Sequence, residues 1–372
     1  MFPTINRESS MLGFGCMRFP TTPDGKIDES EAIRMIRHAI DNGVRYIDTA
    51  YPYHGGESEI VIGKALKDGY REKVILTTKL PVWLVKTHED MMKFLDEQLK
   101  KLDTPYVDFY ILHAMNNERM DAMQKLGYKR FYADAIAQGK VRCPGFSFHD
   151  DAKAFLRILH DWDQWGMCQV QMNILDDENQ ATLEGIREAG RRGVGVVVME
   201  PLRGGLLANP PVDVKAVYDA YAVRRSPVEW GFRYLYAMPE VITILSGMST
   251  WAQVTDNLRI FDMAKRPTLT DEELALYQKV KATYLARTKT RCTGCKYCQP
   301  CPMGVQIPRI FQGYDAAMLR ADSSFKAGYA QIQADHADAS QCIHCRKCER
   351  VCPQHLPITR FLQEIHTAST AE

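Results

Sequence analysis

The chain has 372 residues, 45% hydrophobic and 25% charged, with 47 Lys and Arg against 46 Asp and Glu for a net charge of +1. That balance argues against a dedicated nucleic-acid binder, which concentrates positive charge, and no apolar run approaches the roughly 20 residues that span a bilayer. The start, Met1-Phe-Pro-Thr-Ile-Asn-Arg7, has no apolar signal core, so a reducing, cytoplasmic setting is expected for a barrel-sized domain with an appendage.

From residue 12 to about 264, short apolar runs alternate with amphipathic stretches. Strands are expected at 12–19, 46–50, 74–80, 107–113, 141–148, 167–173, 194–199 and 241–248. Helical patterns fill 28–42, 57–69, 88–102, 118–138, 151–162, 179–192, 212–237 and 251–264. Eight strands, each followed by a helix, fit the α/β class and a parallel (β/α)8 TIM barrel. A doubly wound sheet alternates too, but it seldom needs eight units. Gly13-Phe-Gly15 also lacks the third glycine of a dinucleotide fingerprint, where Arg18 stands instead. Leu269-Thr-Asp-Glu-Glu273 begins one more helix, with Thr270 as N-cap and Glu273 closing a capping box. The expected domains are therefore the barrel with its trailing helix over 1–286, and a small module over 287–372.

That module holds eight of the eleven cysteines, in the runs Cys292-Thr-Gly-Cys295-Lys-Tyr-Cys298-Gln-Pro-Cys301-Pro302 and Cys342-Ile-His-Cys345-Arg-Lys-Cys348-Glu-Arg-Val-Cys352-Pro353. Thiolates two residues apart on a tight loop can face one soft-metal centre. Zinc sites usually pair two CxxC motifs without a four-cysteine run closed by proline, and disulfides need an oxidising compartment. The closing Cys-Pro resembles two-cluster ferredoxins, where the last cysteine of each run ligates the other cluster. The resemblance implies one [4Fe–4S] cluster on Cys292, Cys295, Cys298 and Cys352, and a second on Cys342, Cys345, Cys348 and Cys301. The last two cysteines of the first run stand one residue closer than those of the second. Cys301–Gln312 also aligns with Cys352–Gln363, and residues 308–333 read as helical, so an α-helical ferredoxin-like domain is expected. Cys16, Cys143 and Cys168, in or beside barrel strands, read as packing residues.

Reactive side chains of such barrels lie just past the C-terminal ends of strands. There the chain places Asp48, Lys79 and His113 at strands two, three and four, with Tyr53 in the loop after strand two. Each alone has a plain reading as a rim charge or a packed ring; four on one rim make a constellation. Asp48-Thr-Ala-Tyr-Pro-Tyr53-His-Gly-Gly-Glu-Ser-Glu59, Leu-Thr-Thr-Lys79 and Tyr-Ile-Leu-His113 resemble successive motifs of the aldo/keto reductases. The resemblance covers about residues 10–265 and points to the branch with a C-terminal ferredoxin-like domain. It implies that Tyr53 gives a proton to a substrate carbonyl oxygen as hydride reaches carbon. It also implies that Lys79, positioned by Asp48, lowers the tyrosine pKa from its ordinary ~10, and that His113 orients the carbonyl.

The same resemblance implies NAD(P) contacts. Ser147 and Gln169 match the nicotinamide positions on strands five and six, while Phe148 stands where asparagine is usual. Pro201, Leu202 and Gly204 fall in the loop after strand seven, which covers the cofactor. Ser249, Gln253 and Asn257 follow strand eight, at the adenosine-phosphate site. Gly247 and Gln253 replace the Lys and Arg of many members, and an NADP 2′-phosphate normally wants such cations. NAD, NADP or a flavin on this rim all stay open. Tyr51, Trp83 and Met115 are candidates to line a pocket.

Between Arg287 and Arg309 lie five basic residues (Arg287, Lys289, Arg291, Lys296 and Arg309) and no acidic one; Arg346, Lys347 and Arg350 add to them. They either balance the negative charge of thiolate-bound clusters or steer an acidic ferredoxin or flavodoxin to dock. The leading expectation is an enzyme that reduces or oxidises a small carbonyl or alcohol. The alternative is a nucleotide-binding redox sensor with structural clusters. Clusters pass single electrons, whereas nicotinamide and carbonyl exchange pairs. Either a flavin or a partner splits the pair, the substrate tolerates radical steps, or the clusters stand outside turnover.

Overall fold

The computed structural model describes residues 2–261, 266–292, 294 and 296–371. They form two compact units, residues 1–204 with 228–269, and residues 205–227 with 270–372.

In the first unit, β1 (Leu12–Gly15), β2 (Tyr46–Asp48), β3 (Ile75–Leu80), β4 (Val107–Met115), β5 (Val141–Phe148), β6 (Met167–Gln171), β7 (Gly195–Met199) and β8 (Val241–Ser246) close in sequence order into a barrel. Every neighbouring pair is parallel, β8 pairing back onto β1 through Leu12–Ile244 and Gly13–Leu245. The (β/α)8 expectation is borne out. Several strands are shorter than their apolar runs, because the run continues into loop residues past the last ladder bond.

Side chains alternate across a strand, and the inward set is apolar at the floor. Tyr46, Ile75, Phe109, Ile111, Cys143, Met167, Val197 and Leu245 pack there with Phe2. The Phe2 ring plugs the bottom, 4.8 Å from Phe109 and 5.8 Å from Tyr46. The same parity carries the next inward positions to the open end: Asp48, Lys79, His113, Ser147 and Gln169.

Two expected helices are each a pair. The 118–138 stretch is Asn117–Lys125 and Tyr128–Ala137, broken at Gly127, whose φ of 74° lies in the left-handed region that glycine adopts at low cost. The 212–237 stretch is Val212–Asp219 and Pro227–Tyr236, the second starting at a proline that suits a first helical turn. The last barrel helix is Trp251–Phe261, and 262–264 of its expected range lie outside the described residues.

In the second unit, helix Asp271–Arg287 carries the expected capping box of Thr270 and Glu273. It falls in this unit together with Val212–Asp219. The cysteine module is helical among its described residues: Ile307–Arg320, Ser324–Ala334, Lys347–Arg350 and Ile358–Thr370. Expected helix 308–333 breaks at Ala321 (φ 57°). Val305, Ile310, Phe311, Tyr329, Leu362 and Ile365 form its core. The two long helices after Cys301 and Cys352 start at matching places in the repeat, Ile307 and Ile358.

Candidate active site and cysteine centre

At the open end of the barrel the Lys79 ammonium lies 2.7 and 2.8 Å from the two Asp48 carboxylate oxygens and donates to the Thr49 carbonyl at 2.7 Å. It also reaches the Tyr53 hydroxyl at 3.3 Å. Lys79 and Asp48 are buried, at 1% and 2% exposure, so neither charge is shared with water. Burial lowers the Lys79 pKa, but Asp48 and Tyr53 outweigh it and hold the ammonium above its ordinary range. The Tyr53 ring meets His113 edge-on at 6.1 Å.

The expectation for Tyr53 needs correction. Burial raises its pKa more than Lys79 lowers it, and the net direction is upward. The phenol is held protonated. His113 is held neutral: burial, then Lys79, His149 and Arg119, bring its pKa to about 2. Its Nδ1 is buried with no hydrogen-bond partner among the described residues.

Ser147 and Gln169 sit beside this group on β5 and β6. The Ser147 hydroxyl accepts from the Ala114 amide at 2.7 Å, leaving its own proton to donate. The buried Gln169 Oε1 has no donor among the described residues, an orphaned acceptor of the kind that a carboxamide N–H satisfies. These two residues fit a nicotinamide. Phe148 turns outward, its ring packed on Phe155 at 5.2 Å, so it offers that group nothing.

Pro201, Leu202 and Gly204 follow β7 in a tightly turned loop, with φ of 55°, 49° and 64° at Glu200, Arg203 and Gly204. Beyond β8, Gln253 Oε1 accepts from the Ser249 amide at 2.7 Å, Ser249 Oγ donates to the Arg18 carbonyl at 2.8 Å, and Asn257 donates to Ser246 Oγ at 2.9 Å. All eight expected cofactor residues thus line the same end of the barrel, but Gln253 spends its carbonyl on its own loop.

Of the pocket candidates, only Trp83 adjoins the group, its ring 5.1 Å from His113. Tyr51 instead packs on Phe94 at 5.3 Å with Lys101 over its face at 4.2 Å, and Met115 is fully buried in the core. Sequence reasoning missed the Thr49 carbonyl, since a backbone acceptor leaves no residue signature. It also missed Glu59, which accepts from Thr78 and from Gln98, both at 2.6 Å, while Gln98 donates to the Lys79 carbonyl at 3.1 Å. This buried network braces the strand that carries Lys79.

In the second unit two cavities gather the cysteines. One, of about 210 Å³, is lined by Cys301, Cys342, Cys345 and Cys348 together with Cys298. A smaller one is lined by Cys292, Cys298 and Cys352. Cys295 lies outside the described residues. Each cavity draws the last cysteine of one run to the other run, as a crossed pair of clusters requires, and the half-buried thiols rest on the apolar core. Among the described residues no group of three or more Cys, His, Asp or Glu is arranged to hold a metal ion; the crossed order of the cysteines is the one that iron–sulfur ligation uses. Arg287, Lys289 and Arg309 are tied to Asp213, Glu364 and Asp335 at 2.7, 2.6 and 3.2 Å. Lys296, Arg346, Lys347 and Arg350 stand exposed near the cysteines. Cys16, Cys143 and Cys168 are buried in the barrel, as expected of packing residues.

A family model described as the aldo/keto reductase family matches residues 11–282, and one described as a 4Fe-4S dicluster domain matches residues 291–356. The chain is similar to probable aldo-keto reductase 1 of Glycine max, 26% identical over 219 residues, or 55% of this chain and 59% of that one. The match thus spans less than two thirds of that relative's length. It is 23% identical over 313 residues to the uncharacterized oxidoreductase YqkF of Bacillus subtilis (strain 168), covering 74% and 94%. Among solved structures, the holo form of aldo-keto reductase AKR11C1 from Bacillus halodurans superposes with a TM-score of 0.61 at 27% identity, covering 73% and 92%. No helix among the described residues is long and apolar enough to cross a membrane.

Proposed function

Because the chain belongs to the aldo/keto reductase family and carries a 4Fe-4S dicluster domain after it in sequence, we propose that it interconverts a small carbonyl compound and its alcohol by hydride transfer with NAD(P), in the cytoplasm, and moves electrons through two [4Fe–4S] clusters. The observation that carries the first part is the buried Lys79 ammonium held between Asp48, the Thr49 carbonyl and the Tyr53 hydroxyl.

A nicotinamide dinucleotide, when bound, supplies the hydride to the carbonyl carbon. Tyr53 gives its hydroxyl proton to the carbonyl oxygen, and solvent restores it. Lys79 steadies the phenolate that this leaves. Asp48 fixes the ammonium, and neutral His113 donates its N–H to the carbonyl oxygen. Ser147 and Gln169 hold the carboxamide; Pro201, Leu202, Gly204, Ser249, Gln253 and Asn257 bind the rest of the dinucleotide.

The pH dependence follows from these directions. Reduction needs the Tyr53 proton, whose pKa is raised, so its rate should stay flat from about pH 6 to 9. Oxidation of the alcohol needs the phenolate and should climb roughly tenfold per unit across that range. Steady-state rates in both directions test this, and a limb near pH 6.5 in reduction would mean that His113 titrates after all.

In the tail, Cys292, Cys295, Cys298 and Cys352 would hold one cluster and Cys301, Cys342, Cys345 and Cys348 the other. Such clusters supply single-electron transfer when bound. The exchange partner in this reading is an acidic ferredoxin or flavodoxin. It is supported by the exposed cations Lys296, Arg346, Lys347 and Arg350 and by Tyr297, Ile343 and Val351, exposed at 68%, 61% and 53% around the larger cavity. Protein purified without oxygen should carry about eight iron atoms, two cubanes of four. A reduced flavodoxin, a one-electron donor, should then bleach the clusters, and more slowly as salt rises. Iron near zero with stoichiometric zinc, or bleaching indifferent to salt, would remove the cluster or the partner reading respectively.

A further inference from the structure

Arg119 lies in the first turn of Asn117–Lys125, the helix that follows β4. One of its N–H groups donates to the Ala114 carbonyl, and its guanidinium carbon is 5.4 Å from the centre of the Trp83 ring. The other neighbour of that ring is His113, at 5.1 Å, and Tyr53 lies 6.1 Å beyond. A single indole thus links the guanidinium to the two residues that would receive a carbonyl oxygen.

Several arginines of this unit pair with acids, whereas Arg45 and Arg266 give their N–H groups to backbone carbonyls. Arg7, Arg71 and Arg142 converge on buried Asp108, and Arg203 reaches Asp176. Arg119 is half-buried, and no carboxylate among the described residues comes within ion-pair distance of it. A guanidinium stays charged at any ordinary pH and carries five N–H donors, of which Ala114 takes one. Its field falls on His113 and His149, and both are held neutral. The hydrogen bond to Ala114 and the face of Trp83 occupy only part of this cation's donor set. The Ala114 carbonyl and the Trp83 ring offset part of the desolvation of this half-buried charge, and its remaining N–H donors are left for an anion.

We propose that Arg119 binds a carboxylate on the substrate, so that the chain takes carbonyl acids in preference to neutral carbonyl compounds. One unpaired cation balances one negative charge, which favours a carboxylate over a phosphate dianion. The fork geometry matches a planar carboxylate with two parallel hydrogen bonds. The proposal rests on reading Tyr53 and His113 as the carbonyl site.

The test is calorimetric titration of the full, iron-loaded chain with 4-formylbenzoate and with its methyl ester, without reduced dinucleotide so that nothing turns over. The acid should bind about tenfold tighter than the ester or better. Arg119→Gln, which keeps a donor for Ala114, should bring that ratio near one, and Arg119→Lys should keep part of it. A ratio near one in the unaltered protein, or a ratio unchanged in Arg119→Gln, overturns the proposal. Turnover of both compounds is followed separately with NADPH. Reduction without an acid preference leaves the carbonyl chemistry standing and removes Arg119. An acid preference that Arg119→Gln abolishes, with neither compound reduced, does the reverse.

Discussion

Tyr53→Phe is expected to slow carbonyl reduction by about 10²- to 10⁴-fold, the usual worth of a positioned general acid, while dinucleotide affinity stays within a few-fold. The substitution removes one oxygen and little else. The ring keeps its edge against His113 at 6.1 Å. Lys79 keeps its contacts at 2.7 and 2.8 Å to Asp48 and 2.7 Å to Thr49, losing only the longest, at 3.3 Å. The pocket should therefore stand, and the loss should fall on kcat more than on KM. Single-turnover reduction with pre-bound NADPH, beside equilibrium titration of NADPH, measures both. A rate within threefold of the unaltered chain would take Tyr53 out of the chemistry.

The second large effect is on stability. Lys79→Met should destabilise the first unit by about 3–5 kcal/mol, the range for a buried ion pair that loses one partner. Asp48, 2% exposed, would keep its burial and lose its cation. Its pKa is already raised by burial against the pull of Lys79, and without the ammonium it rises further. The sign is then fixed. A carboxyl with a native pKa above its unfolded ~3.9 is favoured at low pH, and its contribution fades as pH climbs through the native value. The variant should thus melt furthest below the parent near neutrality and regain part of the difference toward pH 5. Asp48→Asn added to Lys79→Met should restore part of the stability at pH 7, since it removes the stranded charge. Anaerobic melting of the four proteins in the cycle decides it. A melting shift of less than a degree in Lys79→Met would show the pair to be less buried than its contacts indicate.

Much of this was legible in the chain itself, for reasons of short-range geometry. Short apolar runs, repeated eight times with helical spacing between, specify strands that bury both faces and helices that cover them. The rule that reactive groups stand at the C-terminal ends of barrel strands then put Asp48, Lys79 and His113 on one rim, and the family resemblance added Ser147 and Gln169. The cysteine spacing likewise names the loops. Helix breaks were harder to see. At Gly127 a single positive φ splits a continuous amphipathic pattern, because the apolar positions on either side serve different neighbours.

What the chain could not say by itself concerns contacts between residues far apart in sequence. Trp83 adjoins His113, whereas Tyr51 and Met115, equally near a strand end, turn to Phe94 and into the core. Barrel closure fixes that choice, not local periodicity. Arg119 reads in sequence as one more helix-surface charge, and only the fold shows it beside Trp83 without an acid. The direction of the Tyr53 pKa also depended on the fold: motif logic counts the lysine, but burial, a sum over all neighbours, outweighs it. The sequence by itself determined the eight-stranded barrel, the cysteine-rich tail and the residue types at the strand ends, because these follow from backbone period and ligand spacing. Tertiary structure alone decided which of them touch, which charges go unpaired and how far each is dried, because those depend on packing between segments that the chain brings together only on folding.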